Sequence, residues 1–259
     1  MVYRIARRML SRLWWAFRYQ VNRVTWSFFV WERHSQLPQL TQGRIILAGS
    51  GDKAIGERLA VLRGASVDQY RAWLRDGHWV LYAIGPDNNI QSWIWFTVAE
   101  GGPQIAPFDF GTGMKVPPGL AFLWDAFTVP AYRRQGLYKT LLVQAIKECF
   151  VHGARQVWGH ANVANASRKI ILTTDPAGET TIKATRIGPF CRISTPGFHR
   201  TISVRGLLEM DTLLRSIRTN AALDGSGRDA ATDVCRDRVA DRPAARTVHA
   251  DMRDQRDRS

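Results

Sequence analysis

Acidic residues are scarce in this chain: 22 Asp and Glu stand against 36 Lys and Arg, a formal net charge of +14. A body this basic attracts polyanions, whether nucleic acid, anionic lipid or the phosphates of a nucleotide cofactor, and charge alone does not choose among them. Cysteine is rarer still. Cys149, Cys191 and Cys235 show neither metal-ligand spacing nor an even-numbered disulfide framework, which suits a reducing compartment and makes the cytoplasm the expected location. Long apolar runs are also missing, since none approaches the roughly 20 residues of a spanning helix. Arginines interrupt the N-terminal apolar stretch throughout, unlike a secretory signal. There is no internal repeat, no GxxxxGK[ST] or GxGxxG phosphate loop, and no finger or helix-turn-helix spacing. What the chain does have is 45% hydrophobic and 10% aromatic residues, enough for a packed core.

Three segments differ in composition. Residues 1–34 carry seven arginines, many aromatics and a single acid, Glu32. Helical spacing sets Ile5, Met9, Leu13, Phe17 and Val21 along one stripe with Arg4, Arg8, Arg12 and Arg23 off it, followed by a strand near Thr25–Trp31. This extension is read as packing on the domain's own core, as an interfacial helix on anionic lipid at the inner membrane surface, or as a nucleic-acid arm. Residues 35–218 hold the periodic elements of one domain. From 219 to 259 aspartates and arginines balance and aromatics vanish; such a tail does not bury enough surface to offset its ordering entropy and is expected to be disordered.

Within 35–218 the pattern predicts a strand at Arg44–Leu47, helices at Asp52–Arg63 and Val67–Arg75, and a hairpin of Trp79–Ile84 with Trp93–Ala99 around Asp87-Asn88-Asn89. The Gly- and Pro-rich stretch Glu100–Gly119 reads as a long loop. An apolar strand, Leu120–Val129, carries one acid, Asp125. The clearest helix is Leu137–Val151, with Leu141, Leu142, Ala145, Ile146 and Cys149 on one side and Gly153 beyond its end. After it come a strand at Gln156–Ala161 and a short helix at Ala166–Thr174. Strands at Thr180–Ile187, Phe190–Ser194 and Arg200–Val204 precede a last helix at Gly206–Arg218.

Chemistry concentrates in AFLWDAFTVPAYRRQGLYKTLLVQAIKECF, which runs strand, basic turn, helix. The first turn of a helix leaves backbone N–H groups unpaired and partly positive. Gly136 lets the chain approach a phosphate without a Cβ in the way, and Arg133 and Arg134 add fixed charge. By physics alone this is a pyrophosphate-sized anion site.

The run Val129-Pro130-Ala131-Tyr132-Arg133-Arg134-Gln135-Gly136-Leu137-Tyr138 resembles the central motif of the GNAT acyltransferase superfamily, with Tyr138 where the family has a small residue. The resemblance implies an α/β fold: a mixed, mostly antiparallel sheet flanked by helices on both faces. It implies acetyl-CoA or another acyl-CoA as cofactor, bound where two neighbouring strands splay. Backbone amides around Arg133, Arg134, Gln135, Gly136, Leu137, Tyr138 and Lys139 would hold the pyrophosphate, and backbone groups of Phe127 and Val129 the pantetheine arm. A second stretch, VWGHANVANAS at 157–167, resembles the family's next strand and carries over a cofactor contact to Asn165; read from the residues alone, Asn165 caps the following helix. The two motifs cover about residues 120–175.

Acyl transfer from a thioester needs a deprotonated acceptor, an oxyanion donor and a proton for the leaving thiolate. The family's acid, a tyrosine on the short helix after the second motif, falls near Leu172, and ASRKIILTT contains no tyrosine. Asp125 is read either as the base or as half of a structural ion pair; strand alternation puts it on one face with Phe127 and Val129. His160 is a second candidate base, and Tyr132 and Tyr138 are candidate proton donors. Cys149 reads as core. The expected acceptor is an amine or hydroxyl on a small molecule, peptide or sugar. The alternatives are a non-catalytic acyl-CoA-binding or membrane-associated module, or an aminoacyl-tRNA-dependent transferase on the same superfold.

Overall fold

A computed structural model of the chain describes residues 21–38, 44–108, 112–187, 190–195, 198–203 and 207–210. The expected N-terminal helix and the charge-balanced tail with Cys235 lie outside them. In chain order the elements are β1 (Val21–Glu32), β2 (Arg44–Ala48), α1 (Lys53–Arg63), α2 (Val67–Arg75), β3 (Trp79–Ile84), β4 (Ile90–Val98), β5 (Gln104–Pro107) and β6 (Gly113–Val116). They continue with β7 (Leu120–Thr128), α3 (Leu137–Val151), β8 (Gln156–Asn162), α4 (Ala166–Leu172), β9 (Gly178–Ile187), β10 (Phe190–Thr195), β11 (Phe198–Ser203) and β12 (Leu207–Glu209).

Nine strands form one sheet in the order β11-β10-β9-β1-β8-β7-β4-β3-β2, antiparallel except where β7 runs parallel to β8. Its two faces carry separate cores. Trp26 and Phe28 of β1, Trp93 and Trp95 of β4, and Phe122 and Trp124 of β7 point toward α1 and α2, burying Ile55, Leu59, Tyr70 and Leu74. Phe29 and Trp31, Ile94 and Phe96, Ala121 and Leu123 point the other way, onto Leu137, Leu141, Leu142, Ile146 and Cys149 of α3 and Ile171 of α4. The fold is therefore α/β, with helices on both faces of a mixed, mostly antiparallel sheet. Each large side chain removed from water contributes about 2 kcal/mol, and strands buried on both faces read as near-continuous apolar runs.

Local chemistry sets the helix ends. Asp52 caps α1 by accepting from the Ile55 N–H at 3.2 Å, and Gly64, left-handed at φ 68°, ends it. Ser66 caps α2 through the Gln69 N–H.

Three departures from the sequence pattern have physical causes. Glu100–Gly119 is not one long loop: β5 and β6 pair antiparallel inside it and form a second sheet, in the order β12-β6-β5. Strands of four residues are too short to show alternation, yet Ala106, Met114 and Val116 are buried against the first core. Where a helix was expected at Gly206–Arg218, Leu207–Glu209 instead form β12, which pairs parallel with β6, an open strand edge outcompeting helix propensity there; residues 211–218 lie outside the described ones. Finally, β1 is longer than expected and sits inside the sheet, bonded to β8 on one side and β9 on the other.

Candidate active site

Strands β7 and β8 part halfway along. They pair from Leu120↔Gln156 to Leu123↔Gly159 and no further. Beyond that point β7 pairs only outward with β4, through Trp93↔Phe127 and Ser92↔Thr128. β8 likewise pairs only with β1, through Phe28↔His160 to Trp26↔Asn162. A notch thus opens in the middle of the sheet, edged by backbone groups that have no strand opposite among the described residues, and such groups call for a partner.

A β-bulge lies at the head of the notch. Trp95 pairs with Trp124 and Trp93 with Phe127, so Asp125 and Ala126 together oppose Ile94. Asp125 takes φ 38°, a left-handed conformation that Asp adopts more readily than most residues. The extra residue breaks the alternation that sets Trp124 opposite Asp125, Phe127 and Val129: Asp125 bonds Tyr70 of α2 and so keeps one face with Phe127 and Val129, but Trp124 shares it. Phe127 and Val129 pack with Phe122 and Trp124 on the α1–α2 side. The Val129 N–H donates to the Gln91 carbonyl at 2.9 Å, so its amide belongs to the ladder with β4. Antiparallel alternation then turns the Thr128 backbone groups toward the notch. The Thr128 carbonyl there accepts from Arg133 Nε at 3.2 Å.

That bond folds the turn back on the strand. Pro130–Tyr132 make a single helical turn, Arg134 takes φ 65° and Gly136 φ 78°. Gly136 sits at the N-cap of α3 with no side-chain cap. The first N–H groups of α3 are thus offered outward beside Arg133, Arg134, Gln135 and Gly136, all exposed. Leu137 is buried in the α3 core and Lys139 half-buried on the first turn. Tyr138 packs against the α3-side core, away from the mouth of the turn, and burial holds its phenol well above its ordinary range. Tyr132 packs on the same core.

Asp125 faces the opposite side of the sheet. Its Oδ2 accepts from the Tyr70 hydroxyl at 2.8 Å and its Oδ1 lies 3.7 Å from Arg63 Nη2. Burial first, and the Asp125 carboxylate second, raise the Tyr70 phenol, which keeps it a donor. Across the notch His160 lies among rings: Phe122 is parallel to it at 5.5 Å, with Phe28, Phe108 and Trp26 around it. Asn165 caps α4, its Oδ1 accepting from the Ser167 N–H at 3.1 Å. Cys149 is fully buried in the α3 core, and burial drives its thiol upward.

Sequence reading missed Arg63, Tyr70 and Trp93. Tyr70 and Leu74 share a helical stripe, which says "core", and nothing local reveals that the phenol reaches a strand 55 positions on.

No family model matches the chain, and no curated protein does. Among solved structures the chain is similar to a GNAT-family protein from Novosphingobium aromaticivorans, at 18% identity and TM-score 0.42 over 64% of this chain and 66% of that one. It is similar to a GNAT-family acetyltransferase from Colwellia psychrerythraea at 13% and 0.43, over 64% and 57%. An aminoglycoside acetyltransferase from a soil metagenome, in complex with sisomicin, matches at 15% and 0.40, over 52% and 88%. The chain spans from 52% to 66% of the length of the first three such structures.

Proposed function

We propose that the chain is an acyltransferase of the GNAT type, moving an acetyl or similar group from acyl-CoA to an amine or hydroxyl. The carrying observation is the notch: two sheet strands that part beside a bulge, with an uncapped helix N-terminus at its mouth. Bound there, acyl-CoA supplies the activated thioester. The residues present fit it at both ends. The N–H groups opening α3, with Gly136 at the cap and Arg133 and Arg134 beside it, suit a pyrophosphate. The unpaired edges of β7 and β8 suit an extended arm with amides of its own, which bonds strand edges as a peptide does. Thr128 offers its N–H there, and Phe127 and Val129 wall the arm on the α1–α2 side. Asn165 fixes the start of α4 at the far edge.

The acceptor meets the thioester at the bulge. Asp125, held by Tyr70, is the group placed to receive a proton from it. His160, in its aromatic slot, lies on the opposite strand. In the overall exchange the acceptor nitrogen or oxygen forms a bond to the acyl carbon, the carbon–sulfur bond breaks, and the sulfur leaves as a thiol after taking a proton.

Calorimetry with CoA and acetyl-CoA tests the reading directly. Wild type is expected to bind in the micromolar range and Gly136→Leu to lose binding, because a side chain at φ 78° is strained and fills the phosphate approach. Well-folded wild type that binds neither compound sinks the proposal. Binding without turnover of any amine, peptide or sugar would leave a non-catalytic acyl-CoA-binding module.

A further inference from the structure

Arg63 is the last residue of α1 and reaches the strand at the bulge. Its guanidinium carbon lies 4.4 Å from the Phe127 ring centroid. Stacking of this kind engages the flat face of the group and leaves the N–H donors around its edge. The contact with Asp125 Oδ1 is 3.7 Å, an ion pair but longer than a hydrogen bond, and the Arg63 side chain stays 41% exposed. Asp125 is only 19% exposed. One of its oxygens is held by Tyr70 and the other faces Arg63. Trp93 also packs against Phe127, with ring centroids 4.8 Å apart. Its buried indole N–H has no hydrogen-bond acceptor among the described residues, as is also true of Trp95 and Trp158.

These residues lie beyond the last β7–β8 pair, on the face opposite α3. A cofactor anchored at the α3 turn reaches the notch from one face, so an acceptor approaches from the other, past Arg63 and Asp125. There it meets one positive and one negative group side by side. A polyamine or aminosugar would bring a second cation against Arg63, and a neutral alcohol would desolvate both charges without replacing them. A molecule with its own adjacent opposite charges exchanges both: carboxylate to the guanidinium fork, ammonium to Asp125.

We infer that the acceptor is an amino acid, its carboxylate held by Arg63 and its amino group presented at Asp125. The inference rests on the acyl-CoA reading of the same site. The test follows thiol release from acetyl-CoA by the full chain, with the protein amino acids and the decarboxylated amine of each as paired acceptors. Acetyl-CoA binding is measured in parallel. At least one amino acid is expected to exceed its amine in kcat/KM by about tenfold or more, the scale of one charge-assisted hydrogen bond. Arg63→Met is expected to erase that preference, and Arg71→Met, which removes an exposed pair with Glu57, to keep it. Acetyl-CoA binding with equal use of amines, or with no amino acid turned over, overturns the inference and leaves the cofactor reading standing. Absence of acetyl-CoA binding overturns both.

Discussion

His78 shows what burial does to one titratable side chain. It is almost fully enclosed, its Nδ1 lies 2.9 Å from the Thr97 hydroxyl, and that hydroxyl also accepts from the Trp124 indole N–H. Desolvation pushes its pKa down to about 4, against a smaller upward pull from Asp76. A histidine kept neutral in the fold and protonated when unfolded costs stability as pH falls. The effect is absent above the unfolded value near 6.5, grows below it, and levels off below about 4. Between pH 7 and pH 5 the chain should lose about 2 kcal/mol through this group, read as a drop in urea midpoint. His78→Gln should flatten that part of the pH profile; an unchanged slope would place the titrating group elsewhere. The same run of hydrogen bonds ends at Trp124, immediately before the bulge.

At the scale of elements, legibility followed the source of the stabilisation. α3 was visible at once because an apolar stripe, an opening glycine and a closing Gly153 all agree. β3 and β4 showed as β-branched and aromatic runs around Asp87-Asn88-Asn89. The bulge was invisible: period-2 alternation was sound from Leu120 to Trp124, and one inserted residue reversed it for Phe127 and Val129. The anchoring of α4 was hidden as well, because its partners are distant. Trp31 Nε1 donates to Thr174 Oγ1 at 3.0 Å, just past the helix, and Arg168 bonds Ser27 of β1 and Glu179 of β9. Thr174→Val keeps the shape but leaves a buried indole N–H unpaired. A loss of about 1–3 kcal/mol is expected in denaturant titration, and a change within error would show that the bond is replaceable.

For the whole molecule, the position of β1 governs cohesion. Removing residues 1–32 deletes the strand between β8 and β9, takes Trp26, Phe28, Phe29 and Trp31 out of both cores, and separates β9, β10 and β11 from the rest. Such a chain should show no cooperative thermal transition by circular dichroism. A sharp transition would mean that the remaining strands close around the gap. The basic surface stays undivided among partners by charge alone, whereas the notch, built from β4, β7, β8 and both helical layers, ties recognition to an intact sheet.

An early strand whose partners arrive late also sets a schedule. β1 is complete at Glu32, but its pairing with β9 extends to Ile187, about 150 residues later. At ribosomal speeds of roughly 5–20 residues per second, its aromatic segment Trp26–Trp31 waits about 10–30 s for both neighbours. During that interval the newborn chain carries a ready-made adhesive strip, and its yield in the cell should depend on chaperones that shield the first thirty residues while the last strands are still being made.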